Sequence, residues 1–407
     1  MNETPRANRL HIAIVGKRNA GKSSIINALT HQEVSIVSSC PGTTTDPVYK
    51  AMELHDLGPV VFIDTAGIDD IGDLGVERVK RTERVLDAAD MALIVFTPGD
   101  KDITLEKEWI KRFQQKKVSV IGVVNKIDLG ESIGLKESIG EIEKPFKGID
   151  IPFIYVSAKT GEGIDCLRDM IKKHSPSSWE EPRIVSDLIP PGSLVILVVP
   201  IDIEAPKGRL ILPQVQTLRD ILDHNSTGIV TKENTLADTL KSLAVKPALV
   251  ITDSQVFAEV DRVVPHDILL TSFSILMARY KGDLKELIRG IEAVKQLKRG
   301  NRVLIAEACT HHPVEDDIGR EKIPRWLQEY VGGPLDFTWV SGKDFPYNPG
   351  EYDLVIHCGG CMINRREMLS RIQKCSEVGV PIINYGIIIA TMKGIIERAM
   401  QVFGIQV

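Results

Sequence analysis

Five residues in the C-terminal third carry soft-metal chemistry. Cys358 and Cys361 stand in the run His357-Cys358-Gly359-Gly360-Cys361, and Cys309-Thr310-His311 lies upstream. Two thiols at that spacing can bind one metal ion or one cluster if the residues between them let the chain turn tightly, which Gly359 and Gly360 do. Each group follows a short apolar run of the kind that forms a buried strand: Val303-Leu-Ile-Ala306 before Cys309, and Asp353-Leu-Val-Ile356 before His357. Two such strands would bring three thiols and up to two imidazoles, His311 and His357, to one rim of a sheet. A Cys-x-x-Cys pair alone also serves zinc knuckles and redox couples. Three thiolates with histidine suit a closed zinc site. They equally suit an iron–sulfur cluster with one iron open to an exchangeable ligand, so ligand types leave both metals open. His312 reads as a neighbour of the site, and Cys40, Cys166 and Cys375 as packing or incidental residues.

The N-terminal part handles phosphate. After the strand-like Leu10-His-Ile-Ala-Ile-Val15 comes Gly16-Lys-Arg-Asn-Ala-Gly21-Lys22-Ser23, then the helical Ser24-Ile-Ile-Asn-Ala-Leu29. In that strand–loop–helix setting the backbone of Gly16, Asn19, Ala20, Gly21 and Ser24 cradles phosphates, Lys22 reaches the β/γ oxygens and Ser23 ligates magnesium. Asp64-Thr-Ala-Gly67 follows Val60-Val-Phe-Ile63 and offers a second carboxylate on the magnesium side, with the Gly67 N–H for the γ-phosphate. Thr44 is by position the second hydroxyl on magnesium. Asn125-Lys126-Ile-Asp128 ends the run Val120-Ile-Gly-Val-Val124 and resembles the guanine-specificity motif, in which the aspartate accepts from the base and so rejects adenine. Ser157-Ala158-Lys159, after Phe153-Ile-Tyr-Val156, looks like the last base-contacting loop. Four segments in this order, each at a strand end, point to GTP and GDP with Mg2+, and Lys22, Asp64, Thr44 and Gly67 form the expected catalytic set.

The elements that must position these groups alternate between strand-like and helix-like, which predicts an α/β fold. Three domains are expected: a P-loop GTPase domain over 1–176, a Pro/Ser/charge-rich linker over 177–183, and two smaller α/β domains with mainly parallel sheets. The first of these, over 184–268, reads as an association (dimerisation) domain: strand Leu194–Val199, helix Gln214–Asp223, strand Gly228–Thr231, helix Thr235–Leu243, strand Ala248–Thr252. The second, over 269–407, holds the cysteines. It is expected to contain a helix over Leu284–Leu297, a connecting region with Trp326, Tyr330 and Trp339, a helix over Met362–Cys375, a strand over Val380–Asn384 and one final helix over Ile389–Phe403.

Two resemblances sharpen these expectations. Asn19, with Pro41-Gly-Thr-Thr-Thr-Asp46, resembles the TrmE/Era-like potassium-activated GTPases, in which that asparagine and switch carbonyls hold K+ near the β/γ bridge. A cation there does an arginine finger's electrostatic work. Ile68 stands where Ras-like enzymes carry the water-orienting glutamine, so intrinsic hydrolysis is expected to be slow, and Thr45 stands where the potassium-activated family usually has arginine. A left-handed backbone angle at Asn19 is the plainer reading of that residue. Cys-x-His followed by His-Cys-x-x-Cys, behind such a GTPase segment, resembles the HydF family, the FeFe-hydrogenase maturation GTPases. That resemblance covers all three domains. It implies a 4Fe-4S cluster on Cys309, Cys358 and Cys361, with His311 and His357 as candidates for the fourth position or for tuning it. It also implies a scaffold or carrier of the two-iron precursor, with radical-SAM maturases and FeFe-hydrogenase as partners and a homodimer or higher homo-oligomer as the assembly.

The net charge of −5 and pI near 6.0 give no electrostatic reason to expect nucleic acid or an anionic membrane. The start of the chain has no apolar run of signal-peptide length and no apolar stretch reaches membrane length, so a cytoplasmic protein is expected. A rival reading from another class is a GTPase of RNA modification or ribosome assembly carrying a structural zinc domain.

Overall fold

A computed structural model describes residues 5–30, 48–54, 57–65, 83–99, 102–132, 142–146, 151–176, 183–201, 210–308, 317–342 and 344–407. The chain divides into two compact units, Met1–Glu181 and Pro182–Val407. Among the described residues no helix is long and apolar enough to cross a membrane.

The first unit is built on six strands: β1 (Leu10–Gly16), β2 (Val48–Leu54), β3 (Gly58–Asp64), β4 (Met91–Phe96), β5 (Ser119–Val124) and β6 (Phe153–Tyr155). Their order is β2-β3-β1-β4-β5-β6; β2 runs antiparallel to β3 and the other pairs are parallel. β1 and β4 are buried along their whole length, as strands covered on both faces must be, and this is why they read as unbroken apolar runs. Ile25, Ile26 and Leu29 of helix Lys22–Thr30 and Leu167 and Ile171 of helix Ile164–His174 pack on Ile12, Ile14, Leu93 and Val95. Trp109, Ile110 and Phe113 of helix Thr104–Gln115 cover Ala13, Val15, Ala92 and Ile94 on the opposite face. Central β1 has β3 on one side and β4 on the other, so the loop after it opens at the carboxyl edge where such sheets bind ligands.

The second unit holds two four-stranded, all-parallel sheets of one topology. β7 (Leu194–Val198), β8 (Thr227–Thr231), β9 (Leu249–Thr252) and β10 (Leu269–Ser272) lie in the order β10-β9-β7-β8. β11 (Arg302–Glu307), β12 (Asp336–Ser341), β13 (Leu354–His357) and β14 (Ile382–Asn384) lie in the order β12-β11-β13-β14. In each, the first strand is central, the chain crosses to one side for the second strand and returns to the other side for the third. One continuous core joins the sheets: Ile196, Val250 and Leu270 belong to the same buried cluster as Leu304, Ile356 and Ile383.

Several elements differ from expectation for local reasons. The strand Leu269–Ser272 begins where the sequence places the third domain, yet it pairs with β9. Cys361 to Asn364 stay outside the next helix, which runs over Arg365–Glu377, because the Asn364 side chain caps it by accepting the Glu367 N–H at 2.9 Å. The single final helix is replaced by helices Tyr385–Met392 and Ile396–Met400 and a short 3-10 turn to Phe403; Gly394, at φ +72°, lies at the break. The Trp326 and Trp339 region is not mere connection but helix Ile323–Val331 and edge strand β12.

Arg398 bridges the two halves of this unit. It pairs with Asp261 at 2.7 Å and donates to the carbonyls of Val264 at 2.8 Å and Pro265 at 2.7 Å, with 8% of its side chain exposed. Arg398→Met keeps the aliphatic volume but strands those acceptors, and is expected to destabilise the unit by about 3 kcal/mol. Thermal unfolding checks this; an unchanged melting temperature would refute the bridging role.

Candidate functional site

The phosphate loop is shaped by contacts that leave no room for side chains. A Cβ on Gly16 would fall 2.6 Å from the Val95 carbonyl oxygen, and one on Gly21, at φ +91°, 2.2 Å from Asn125 Nδ2. Asn125 ties three loops together: its Nδ2 donates to the Ala20 carbonyl at 2.9 Å and its Oδ1 accepts the Ala158 N–H at 3.0 Å. The guanine-motif asparagine thus braces the phosphate loop as well as the base side. Lys126, at φ +66°, extends its Nζ to the Asn19 carbonyl at 2.6 Å, and Ser157 Oγ donates to Asp128 Oδ1 at 2.7 Å. Asp128 is thereby oriented at the end of the cleft where a base edge would be met.

Lys22 is buried at the start of its helix, and its ammonium donates to the carbonyls of Gly16 and, at 3.0 Å, Lys17. Ser23 and Ser24 are exposed beside it, and Lys159 is exposed at the far loop. Asp64 ends β3, 5% exposed, with Lys50 Nζ 3.5 Å from its Oδ2; Thr65 Oγ1 donates to the Ile14 carbonyl at 2.8 Å. Lys50 sits in no motif; the antiparallel pairing of β2 with β3 sets it opposite Phe62, diagonal to Asp64 and on the same face, within reach of the carboxylate. Asn19 adopts φ +64°. The left-handed backbone angle at Asn19 is therefore present, and it leaves the side chain exposed. Thr44, Thr45, Gly67 and Ile68 lie outside the described residues.

In the second unit β11 and β13 are neighbours, with Ala306 opposite His357. The chain leaves β11 toward β12 on one side and β13 toward β14 on the other, so the rim between them is a topological switch point. Cys358 and Cys361 stand there. The Cys358 N–H extends the ladder to the Ala306 carbonyl at 3.0 Å, and Cys358 Sγ accepts the Ala308 N–H at 3.1 Å. Gly360, at φ +67°, turns the chain between the sulfurs. Burial pushes the Cys361 thiol up, opposed by the charge of Lys281 and by backbone N–H groups of Cys361 and Met362. Cys309 and His311 lie outside the described residues, and among those described no three or more His, Cys, Asp or Glu side chains gather as a metal site.

His357, a candidate for the fourth position or for tuning it, has both ring nitrogens in contact with protein groups. It is fully buried, its Nδ1 donates to the Cys358 carbonyl at 2.8 Å and its Nε2 accepts from Arg371 at 3.0 Å. With both nitrogens engaged, the ring braces the turn. Burial, then the Arg371 charge, holds the imidazole neutral down to about 3. Arg371 is itself fixed by Glu367 at 2.7 Å and the Gly342 carbonyl at 2.6 Å. Cys375 is fully buried, its thiol pushed up to about 12 by burial, and Cys166 is exposed on its helix; neither approaches the role of a ligand.

Residues 11–126 match a 50S ribosome-binding GTPase domain. GTPase Der of Sulfurimonas denitrificans is 36% identical over 169 residues, covering 40% of this chain and 34% of that protein. GTPase Der of Nitratiruptor sp. is 38% identical over 180 residues, covering 42% of this chain and 38% of that protein. The tRNA modification GTPase MnmE of Hamiltonella defensa is 34% identical over 174 residues, covering 40% of this chain and 35% of that protein. The chain thus spans about a third of the length of the relatives it matches. Residues 184–282 match the hydrogen maturase F dimerization domain and residues 285–402 its tetramerization domain. With a GTPase domain in front of both, the chain belongs to the hydrogen maturase F family.

Proposed function

We propose that this protein is a GTP-hydrolysing scaffold that holds a 4Fe-4S cluster on Cys309, Cys358 and Cys361 and assembles or delivers the two-iron precursor of the FeFe-hydrogenase active site. The observation that carries this reading is the cysteine rim: adjacent parallel strands end at His357, next to Cys358, and at Glu307, two positions before Cys309, at a switch point, in a chain with a complete set of nucleotide loops. The donor set fits the group, since Cys358 Sγ already accepts a backbone N–H and the glycine turn lets Cys361 share its metal. A bound cluster would supply an iron with one position open to an exchangeable ligand. With His357 engaged, His311 or a ligand from outside is left for that position. Radical-SAM maturases upstream, the hydrogenase downstream and a cytoplasmic setting belong to the same proposal. The dimerization and tetramerization matches support a homo-oligomer.

GTP and Mg2+ occupy the first unit in this reading, and nucleotide state sets how the cluster is presented to partners. Hydrolysis is slow and stimulated by K+ held at Asn19. Exchanging Na+ for K+ is expected to raise the turnover of the wild type by about tenfold and that of Asn19→Ala hardly at all. Equal rates in the two salts would remove potassium from the mechanism.

Anaerobic reconstitution with iron and sulfide, followed by metal analysis and EPR of the reduced protein, tests the proposal. A four-iron signal that changes when an exogenous ligand is added is the expected result. Stoichiometric zinc without iron would overturn it and leave a GTPase with a structural metal domain; RNA binding would then be the property to assay.

A further inference from the structure

A buried lysine stands against the cysteine turn. Helix Phe273–Lys281 starts from β10, with Ser272 as its cap, and its last residue, Lys281, is 2% exposed. Two contacts bring the end of its helix beside the cysteine turn. Met277, one helical turn earlier on the same face, would touch a Cβ on Gly359 at 3.8 Å. Arg365, four residues beyond Cys361, donates to the carbonyls on either side of Lys281, Tyr280 at 2.6 Å and Gly282 at 3.3 Å. The segment that follows the cysteines therefore clamps the end of the helix that carries the lysine. The Lys281 Nζ also lies 5.3 Å from the centroid of the Tyr280 ring, and its charge acts on Cys361.

We infer that Lys281 is a positioning residue of the cysteine rim, a fixed positive charge that offsets the negative charge of a thiolate-bound cluster and raises its reduction potential. The inference rests on the iron–sulfur reading above. Net charge and the groups around the ligating sulfurs are what a protein uses to set such a potential.

EPR-monitored redox titration of the reconstituted wild type, Lys281→Met and Lys281→Arg tests it, with thermal unfolding of the apoproteins to establish that the variants fold. The expected result is a midpoint more negative in Lys281→Met than in wild type, with Lys281→Arg close to wild type. Loss of the cluster from the methionine variant but not from the arginine variant would support the inference equally, because it separates charge from shape. Equal midpoints in all three proteins, or loss of the cluster from both variants, would overturn it and leave the cluster reading standing. Absence of iron from the wild type would remove both.

Discussion

Alanine at Cys358 or Cys361 is expected to abolish the four-iron EPR signal and to reduce bound iron to background. Removing outer-shell partners of a metal site already costs about 10–100-fold in affinity, and a direct thiolate is worth more. Neither thiol holds up the fold: both are only partly buried in a turn beyond the end of β13, so the variants should melt near the wild-type temperature. Cys375→Ala is the informative control. Its sulfur is fully buried inside helix Arg365–Glu377, so that variant should lose stability and keep its iron. Full iron content in the Cys358 and Cys361 variants would move the cluster elsewhere and sink the assignment.

Lys22→Ala should slow GTP hydrolysis by about 10²–10³-fold, the usual loss when one preorganised charge or donor is removed from a transition state. The lysine is the first residue of its helix and is held by two carbonyls of the loop it closes, so its position is set before nucleotide arrives. Alanine is a good helix former and should leave the helix intact. Single-turnover phosphate release at saturating GTP measures the effect; a rate within a few-fold of wild type would mean that another group neutralises the phosphates.

The loops that do chemistry were legible because each follows a strand buried on both faces, which appears in sequence as an unbroken apolar run. β1 before Gly16, β5 before Asn125 and β11 before Cys309 all have this form. β12 escaped notice because it is an edge strand only partly buried, so Asp336–Ser341 shows no such run. The break in the last helix turns on one glycine whose conformation tertiary packing decides. The family likeness of the nucleotide loops was readable from local spacing, as was the cysteine pair. The roles of the residues behind them were not. His357 is a ligand or tuning candidate by its cysteine neighbours, whereas the contact of its Nε2 with Arg371, fourteen residues further along the chain and a strand-to-helix crossing away, has no local signal. Lys281 likewise carries no motif; it reaches the rim only because its helix packs against Arg365–Glu377. Long-range packing of this kind leaves no periodic trace in a single chain.

Helix Phe273–Lys281 begins at the end of one sheet and finishes beside the thiols of the other, and it packs against helices from both halves, Leu212–Asp223 and Tyr385–Met392 among them. The two layers therefore share a helix as well as a core, so the second unit is expected to melt as one cooperative body, with neither sheet able to unfold and leave the other's interior covered.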